Sequence, residues 1–286
     1  MTIAFTGATG HFGNLLADEL LSRTDASNLV ALARDPEKAG NLADKGIEVR
    51  AFDYDQPDAL APALEGVDRL LLVSGNAIGQ RTPQHKAVID AAAEAGVGFF
   101  AYTSFLHADA ASIIAVAPEH QETEALLAKA PFDVALLRNG WYTENFEELA
   151  TQAASTGTLL GSVGDGHIAS ATRQDFAAAA AVVLTSETPE AGTYELSGDT
   201  RFTLDDLART ISEVSGTEVT VNNVSSDEHR KILLDAGTPE GLADFLVSTD
   251  AAIAAGELDD TNPGTLSTLI GHPTTPLADV VAQWVK

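Results

Sequence analysis

The chain has 286 residues, 45% of them hydrophobic, with 42 acidic against 16 basic side chains and a net charge of -26. That apolar fraction supports one large domain, or a main domain with a smaller lobe, and excludes a wholly disordered chain. With no cysteine, disulfides, thiolate nucleophiles and cysteine-held clusters are excluded, and so acidic a surface without a basic patch repels nucleic-acid phosphates.

In chain order, Thr2 to Thr6 reads as a buried strand, and Phe12 to Leu21 repeats its apolar residues at a helical period. Strands follow at Asn28–Ala33, Ile47–Phe52, Asp68–Val73, Val97–Thr103 and Phe132–Arg138. The helices between them are Pro57–Leu64, Pro83–Ala95 and Pro118–Ala130. Short, almost continuously apolar strands alternating with helices predict an α/β fold, a doubly wound parallel sheet over residues 1–140. Beyond Arg138 the pattern loosens. A helix is predicted at Tyr142–Ala154, two short strands within Gly157–Gly166, and a helix at Gln174–Thr185. A strand at Thr193–Leu196, a Thr203-capped helix at Leu204–Val214 and a strand at Glu218–Asn222 come next. Residues 225–256 read as two helices broken near Gly237 and Pro239, and two short helices flank GHPTTP at the end. Residues 141–286 are therefore expected to supply the remaining sheet elements and a smaller lobe.

Residues 1–30 lack a basic segment followed by a continuous apolar run, so no signal peptide is expected. The alanine-rich run Phe176 to Leu184 is too short to span a bilayer. A cytoplasmic location, with no membrane partner, follows by default.

The first strand runs into TGATGHFG, which sets Gly7, Gly10 and Gly13 at a strand–helix junction. Glycines there permit a tight turn, let the backbone approach a pyrophosphate and let the helix pack close on the sheet. The first-turn N–H groups then face the phosphates. The spacing is GxxGxxG rather than GxGxxG, so context carries the dinucleotide reading more than the glycines do. The second strand ends ALARDP. A carboxylate at that point would accept from the 2′-hydroxyl of NADH, whereas Arg34 suits the 2′-phosphate of NADPH. Asp35 reads as the start of the turn before Pro36. Asp53 either accepts from the adenine amino group or is an ordinary turn carboxylate. Ser74 and Gly75 after the fourth strand, and Tyr102, Thr103 and Ser104 at the end of the fifth, lie at strand carboxyl ends, where open sheets bind ligands.

Past the sixth strand comes RNGWYTEN. Asn139 and Tyr142 offer hydrogen bonds, and Trp141 is either an aromatic wall for a flat substrate or a packing residue. Proton-shuttling by an activated tyrosine needs a lysine four residues on, but Leu106 and Phe146 stand four after Tyr102 and Tyr142. His120 and Glu124 occupy the positions where that pair should start. His120 could donate to a substrate oxygen, but a solvated helix position is the favoured reading. Hydride transfer then calls for an acceptor that is already electrophilic, such as a quinone, held by proximity and orientation. The seven histidines show no HxxxH or HExxH spacing, and no metal site is expected.

Together TGATGHFG, ALARDP, GQRTPQHKAVIDAA, AYTSFLHAD, LLRNGWYTEN, GDGHIASATRQDFAAAAA and LIGHPTTPL resemble, in order, the bacterial NAD(P)H:quinone oxidoreductase type 2 enzymes. These belong to the NmrA-like atypical short-chain dehydrogenase/reductases, with triphenylmethane-dye reductase a cousin. The resemblance implies a Rossmann fold with a small carboxy-terminal substrate-binding lobe, NADPH as cofactor and a small-molecule quinone as substrate. It carries the cofactor loop onto Gly7, Thr9, Gly10, His11, Phe12 and Gly13, the phosphate-reading arginine onto Arg34, and the nicotinamide-side segment onto Asn139, Trp141 and Tyr142. The wider family also holds dinucleotide-sensing regulators that do no chemistry, and reductases of triphenylmethane or azo dyes. A homodimer would be unsurprising.

Overall fold

The structure is a computed structural model and describes residues 1–285. In chain order the elements are β1 (Ile3–Phe5), α1 (His11–Leu21), β2 (Leu29–Ala33), α2 (Gly40–Ala43), β3 (Glu48–Ala51), α3 (Pro57–Ala63), β4 (Arg69–Leu72), α4 (Arg81–Ala95), β5 (Phe99–Phe105), α5 (Ala117–Leu127) and β6 (Asp133–Asn139). They continue with α6 (Glu147–Thr156), β7 (Thr158–Gly161), α7 (Arg173–Thr185), β8 (Gly192–Leu196), α8 (Leu204–Ser215), β9 (Thr220–Asn223), α9 (Ser226–Asp235), α10 (Glu240–Ala254), α11 (Thr265–Ile270) and α12 (Leu277–Trp284).

Seven strands form one sheet in the order β3-β2-β1-β4-β5-β6-β8, and β1 to β6 pair in parallel. The order runs outward from β1 in both directions, the doubly wound arrangement whose ligands bind at the carboxyl ends of the strands. Strands β1, β2, β4 and β5 are buried along their whole length, which is why they read as unbroken apolar runs. One face seats Ala4, Val30, Leu32, Leu70, Leu72 and Phe100 against Leu60, Leu64, Val88 and Ala92 of the helical layer. On α7 the run Ala177–Ala181 is buried, and these small side chains let α1 pack closely against it. Arg69, buried in β4, donates to the carbonyls of Leu184 (2.7 Å) and Ser186 (2.7 Å) and so closes the carboxyl end of α7.

Two compact units interleave along the chain. One comprises 1–108, 118–139 and 173–195, the other 109–117, 140–172 and 196–286. The second holds the parallel pair β7–β9 and helix α8, whose Thr203–Asp206 capping box satisfies the first-turn amides. The α9–α10 hairpin is pinned by Asp250, whose Oδ2 lies 3.0 Å from His229 Nδ1 and accepts from Ser162 N (2.7 Å) and Oγ (3.0 Å).

Two sequence expectations change here. Of two strands predicted in Gly157–Gly166, one forms, β7. Ser162 is drawn off to Asp250, and Gly166 lies so close to α10 that a Cβ would stand 2.5 Å from Ile253 O. The helix predicted from Tyr142 starts as a 3₁₀ turn, Thr143–Phe146, because the Thr143 N–H is taken by Ala171 O at 2.9 Å.

Candidate functional site

The chain leaves β1 through Gly7 at φ +65°, a conformation that glycine adopts without strain. The Gly7 carbonyl then turns under the loop, accepting from Gly10 N at 3.0 Å. It lies so close to the first turn of α1 that a Cβ on Gly13 would stand 2.2 Å from it. Asn14 Nδ2 donates to the carbonyls of Ala8 (3.4 Å) and Gly10 (2.9 Å). The loop's carbonyls are thus engaged inward. The helix start carries no side-chain cap and no carboxylate in its first turn. In a chain with a net charge of -26 that absence leaves the positive helix end open to an anion.

After β2, Arg34 is exposed and makes no hydrogen bond or ion pair among the described residues. Asp35 does not neutralise it. Its carboxylate caps the turn Pro36–Ala39, accepting from Glu37 N at 3.3 Å, and pairs with Lys38 at 3.6 Å. After β3, both Asp53 oxygens serve their own turn, taking Asp55 N (3.2 Å) and Gln56 Nε2 (3.3 Å).

At β4 the amides are held by side chains. Ser74 N donates to Thr103 Oγ1 (2.7 Å), and Gly75 N to His85 Nε2 (3.1 Å). Thr103 and Ser104 are buried at the end of β5. Ser104 Oγ donates to Glu124 Oε1 at 2.5 Å, and that carboxylate is gripped by Arg138 Nε (3.0 Å) and Nη2 (2.7 Å). Arg138 Nη1 reaches Glu195 Oε1 at 2.7 Å. The two carboxylates raise the already high pKa of Arg138. Tyr102 has no exposed surface, and its phenol lies 2.8 Å from His120 Nδ1. Its ring has no open face for a ligand, so it cannot touch a cofactor directly as the sequence reading expected.

His120 is 5% exposed rather than solvated, which corrects the favoured reading of that residue. The polar run EHQETE hid its burial, because the neighbours that cover it, Arg81 and Tyr102, come from other elements. Burial, then Arg81, then His85 push its pKa down to about 3. It is a neutral acceptor for Arg81 Nη1, at 3.4 Å.

The β5–β6 register places Phe105 beside Asn139. Asn139 is 4% exposed, yet neither Oδ1 nor Nδ2 has a hydrogen-bond partner among the described residues. A buried carboxamide left unpaired costs about 1–3 kcal/mol, and one donor beside one acceptor suits a ligand amide. In the second unit, Trp141 is half-buried with its ring 6.5 Å from that of Phe245. Tyr142 bridges to Ala171. Sequence reasoning passed over His85, although its spacing with Val88, Ile89 and Ala92 marks the buried face of α4. Among the described residues no group of three or more His, Cys, Asp or Glu side chains is arranged to hold a metal ion, and no helix is long and apolar enough to cross a membrane.

A tight glycine turn packed against the first turn of α1, an uncapped helix start, an exposed arginine without a partner among the described residues and an orphaned carboxamide fit a phosphate-bearing nicotinamide dinucleotide. A family model described as NAD(P)H-binding matches residues 7–187. The chain is 49% identical to Quinone oxidoreductase 2 of Escherichia coli over 281 residues, 98% of each chain. The crystal structure of the Escherichia coli NADPH-dependent quinone oxidoreductase complexed with NADPH superposes with a TM-score of 0.96, at 48% identity and 99% of each chain. That of the Citrobacter sp. triphenylmethane reductase complexed with NADP(H) gives 0.94, at 40% identity and 99% of each chain. The chain belongs to the NAD(P)H-binding family and, within it, to the NAD(P)H-dependent oxidoreductases.

Proposed function

We propose that this enzyme transfers hydride from NADPH to a quinone. The observation that carries the reading is 49% identity across 98% of both chains to an enzyme named for that activity. The bound dinucleotide supplies the hydride; the chain's own residues bind, orient and exclude water. In this reading Thr9, His11, Phe12 and Gly13 present main-chain amides to the diphosphate, Gly7 and Gly10 form the turn beneath it, and Arg34 takes the 2′-phosphate. Asp53 borders the adenine. Ser74, Gly75, Thr103 and Ser104 line the stretch between the riboses, with Tyr102 behind them. Asn139 meets the nicotinamide carboxamide, which satisfies its two orphaned atoms. Trp141 and Tyr142 hold the flat acceptor.

No tyrosine in the chain has a lysine four residues on. Glu124, at the lysine's position, is committed to Arg138 and Ser104. A quinone suits this arrangement because its reduced form is a stabilised anion that needs little protonation as it forms, so orientation suffices. Likeness to triphenylmethane reductase at 40% identity favours triphenylmethane dyes as a second acceptor class. The test is a panel of quinones and dyes with NADPH and NADH, following loss of the reduced-nicotinamide absorbance. Rapid NADPH oxidation by benzoquinone is expected. Tight NADPH binding without oxidation by any acceptor would overturn catalysis and leave a dinucleotide sensor.

A further inference from the structure

The loop between β4 and α4 is held in an unusual way. Gly75 N donates to His85 Nε2 (3.1 Å), and Gly79 N and Arg81 N both donate to Glu119 Oε1 (2.9 and 3.0 Å). Side chains of α4 and α5, with Thr103 of β5 holding Ser74, set its path.

His85 is fully buried, and its protonation can be read from its partners. The Gly75 N–H can only donate, so Nε2 accepts and the ring proton sits on Nδ1. Nδ1 lies 3.0 Å from Thr123 Oγ1, whose own proton goes to the Glu119 carbonyl at 2.7 Å. The chain of bonds has one direction from Gly75 to Glu119. A second proton on the imidazole would remove the acceptor from Gly75. It would also add a positive charge in a pocket faced by Arg81 of α4, Tyr102 of β5, and Glu119 and His120 of α5. Burial and Arg81 push the His85 pKa down to about 4, so the acceptor persists at neutral pH.

We propose that His85 is a positioning residue: by accepting from Gly75 it holds the β4–α4 loop in the shape that receives the dinucleotide between its riboses. The assignment rests on the cofactor reading given above. His85 reaches the proposed cofactor site only through the Gly75 amide, so its loss should weaken cofactor binding and leave the chemical step alone.

The test uses the full-length protein, with NADPH binding followed by nicotinamide fluorescence and turnover measured with benzoquinone at saturating NADPH. His85→Leu removes the acceptor and keeps bulk; its Kd and KM for NADPH should rise about tenfold while kcat stays within about twofold. His85→Gln can present a carbonyl oxygen where Nε2 lies and should return both constants to within about threefold of the parent. In the unaltered protein the KM for NADPH should climb as pH falls below about 5, and the Gln variant should lack that rise. The pH comparison decides the matter even if His85→Leu does not fold. Equal losses in the Leu and Gln variants, or an unchanged KM in the Leu variant, would overturn the positioning role while NADPH binding by the parent stands. A parent that binds no pyridine nucleotide would overturn the cofactor reading and this assignment with it.

Discussion

At the β1–β2 end of the sheet the loops are shaped by main chain. Gly7 turns through a left-handed conformation, its carbonyl tucks beneath Gly13, and Arg34 stands exposed, without a partner among the described residues. At the β4–β6 end side chains do the same work. Ser104, Glu124, Arg138 and Glu195 form one chain of bonds, and Gly75, His85 and Thr123 another. The main-chain cradle can be broken only by adding atoms. The side-chain frame breaks when any member is removed, because a buried partner is left unpaired. The first arrangement suits a phosphate, which any set of amides can bind. The second suits a site that must hold two reactants in a defined geometry.

The side-chain frame depends most on Arg138, whose side chain is 9% exposed between two carboxylates. Arg138→Ala leaves Glu124 buried without its counter-ion, and stability should fall by about 3–5 kcal/mol in urea unfolding. A loss under about 1 kcal/mol would mean the pair is in effect a surface contact.

Acid attacks the same end. His85 and His120 have pKa values pushed down to about 4 and about 3, against the ordinary 6.5. Between those values the folded state binds fewer protons than the unfolded chain, so folding is favoured by rising pH. Stability should be greatest above about pH 6.5 and fall as pH drops toward 4, by an amount of order 3 kcal/mol for each histidine. Denaturant midpoints at pH 7, 5 and 4 measure it. A midpoint that does not move over that range would show both imidazoles to be hydrated in solution.

The main-chain end is sharpened by Arg34→Ala. The guanidinium is exposed and has no partner among the described residues, so its removal should leave the melting temperature unchanged. The KM for NADPH should rise by about tenfold or more, as for a lost charge-assisted bond, with little change for NADH. Equal effects on both cofactors would remove Arg34 from phosphate recognition.

The same contrast explains what the sequence made legible. The parallel sheet, the turn of the glycine loop and the exposed position of Arg34 follow from local patterns: apolar strand runs, glycines at a strand–helix junction, a cation at a strand end. Asp35 was readable as a turn residue because Asp-Pro has its own local chemistry. The side-chain frame was not readable, since Tyr102, His120 and Arg81 meet from three elements far apart in sequence. His120 looks like a solvated residue in EHQETE, a helix of negligible amphipathicity, until α4 covers it. Ser162, likewise, loses its expected strand to Asp250, 88 residues away.

Asn139, at the end of β6, belongs to the side-chain end yet takes no part in its bonds, and it predicts a small effect of unusual sign. Its carboxamide is 4% exposed with both polar atoms unpaired, so the fold alone gains nothing from it. Leucine has a similar shape and no polar atoms to desolvate. Asn139→Leu should therefore stabilise the protein free of cofactor by about 1 kcal/mol while lowering quinone turnover and weakening NADPH binding. Unfolding with and without NADPH separates the two. The variant should melt higher than the parent alone, and the extra stability conferred by NADPH should shrink. A variant less stable than the parent without cofactor would mean that Asn139 serves the fold, and its orphaned carboxamide would no longer point to a ligand.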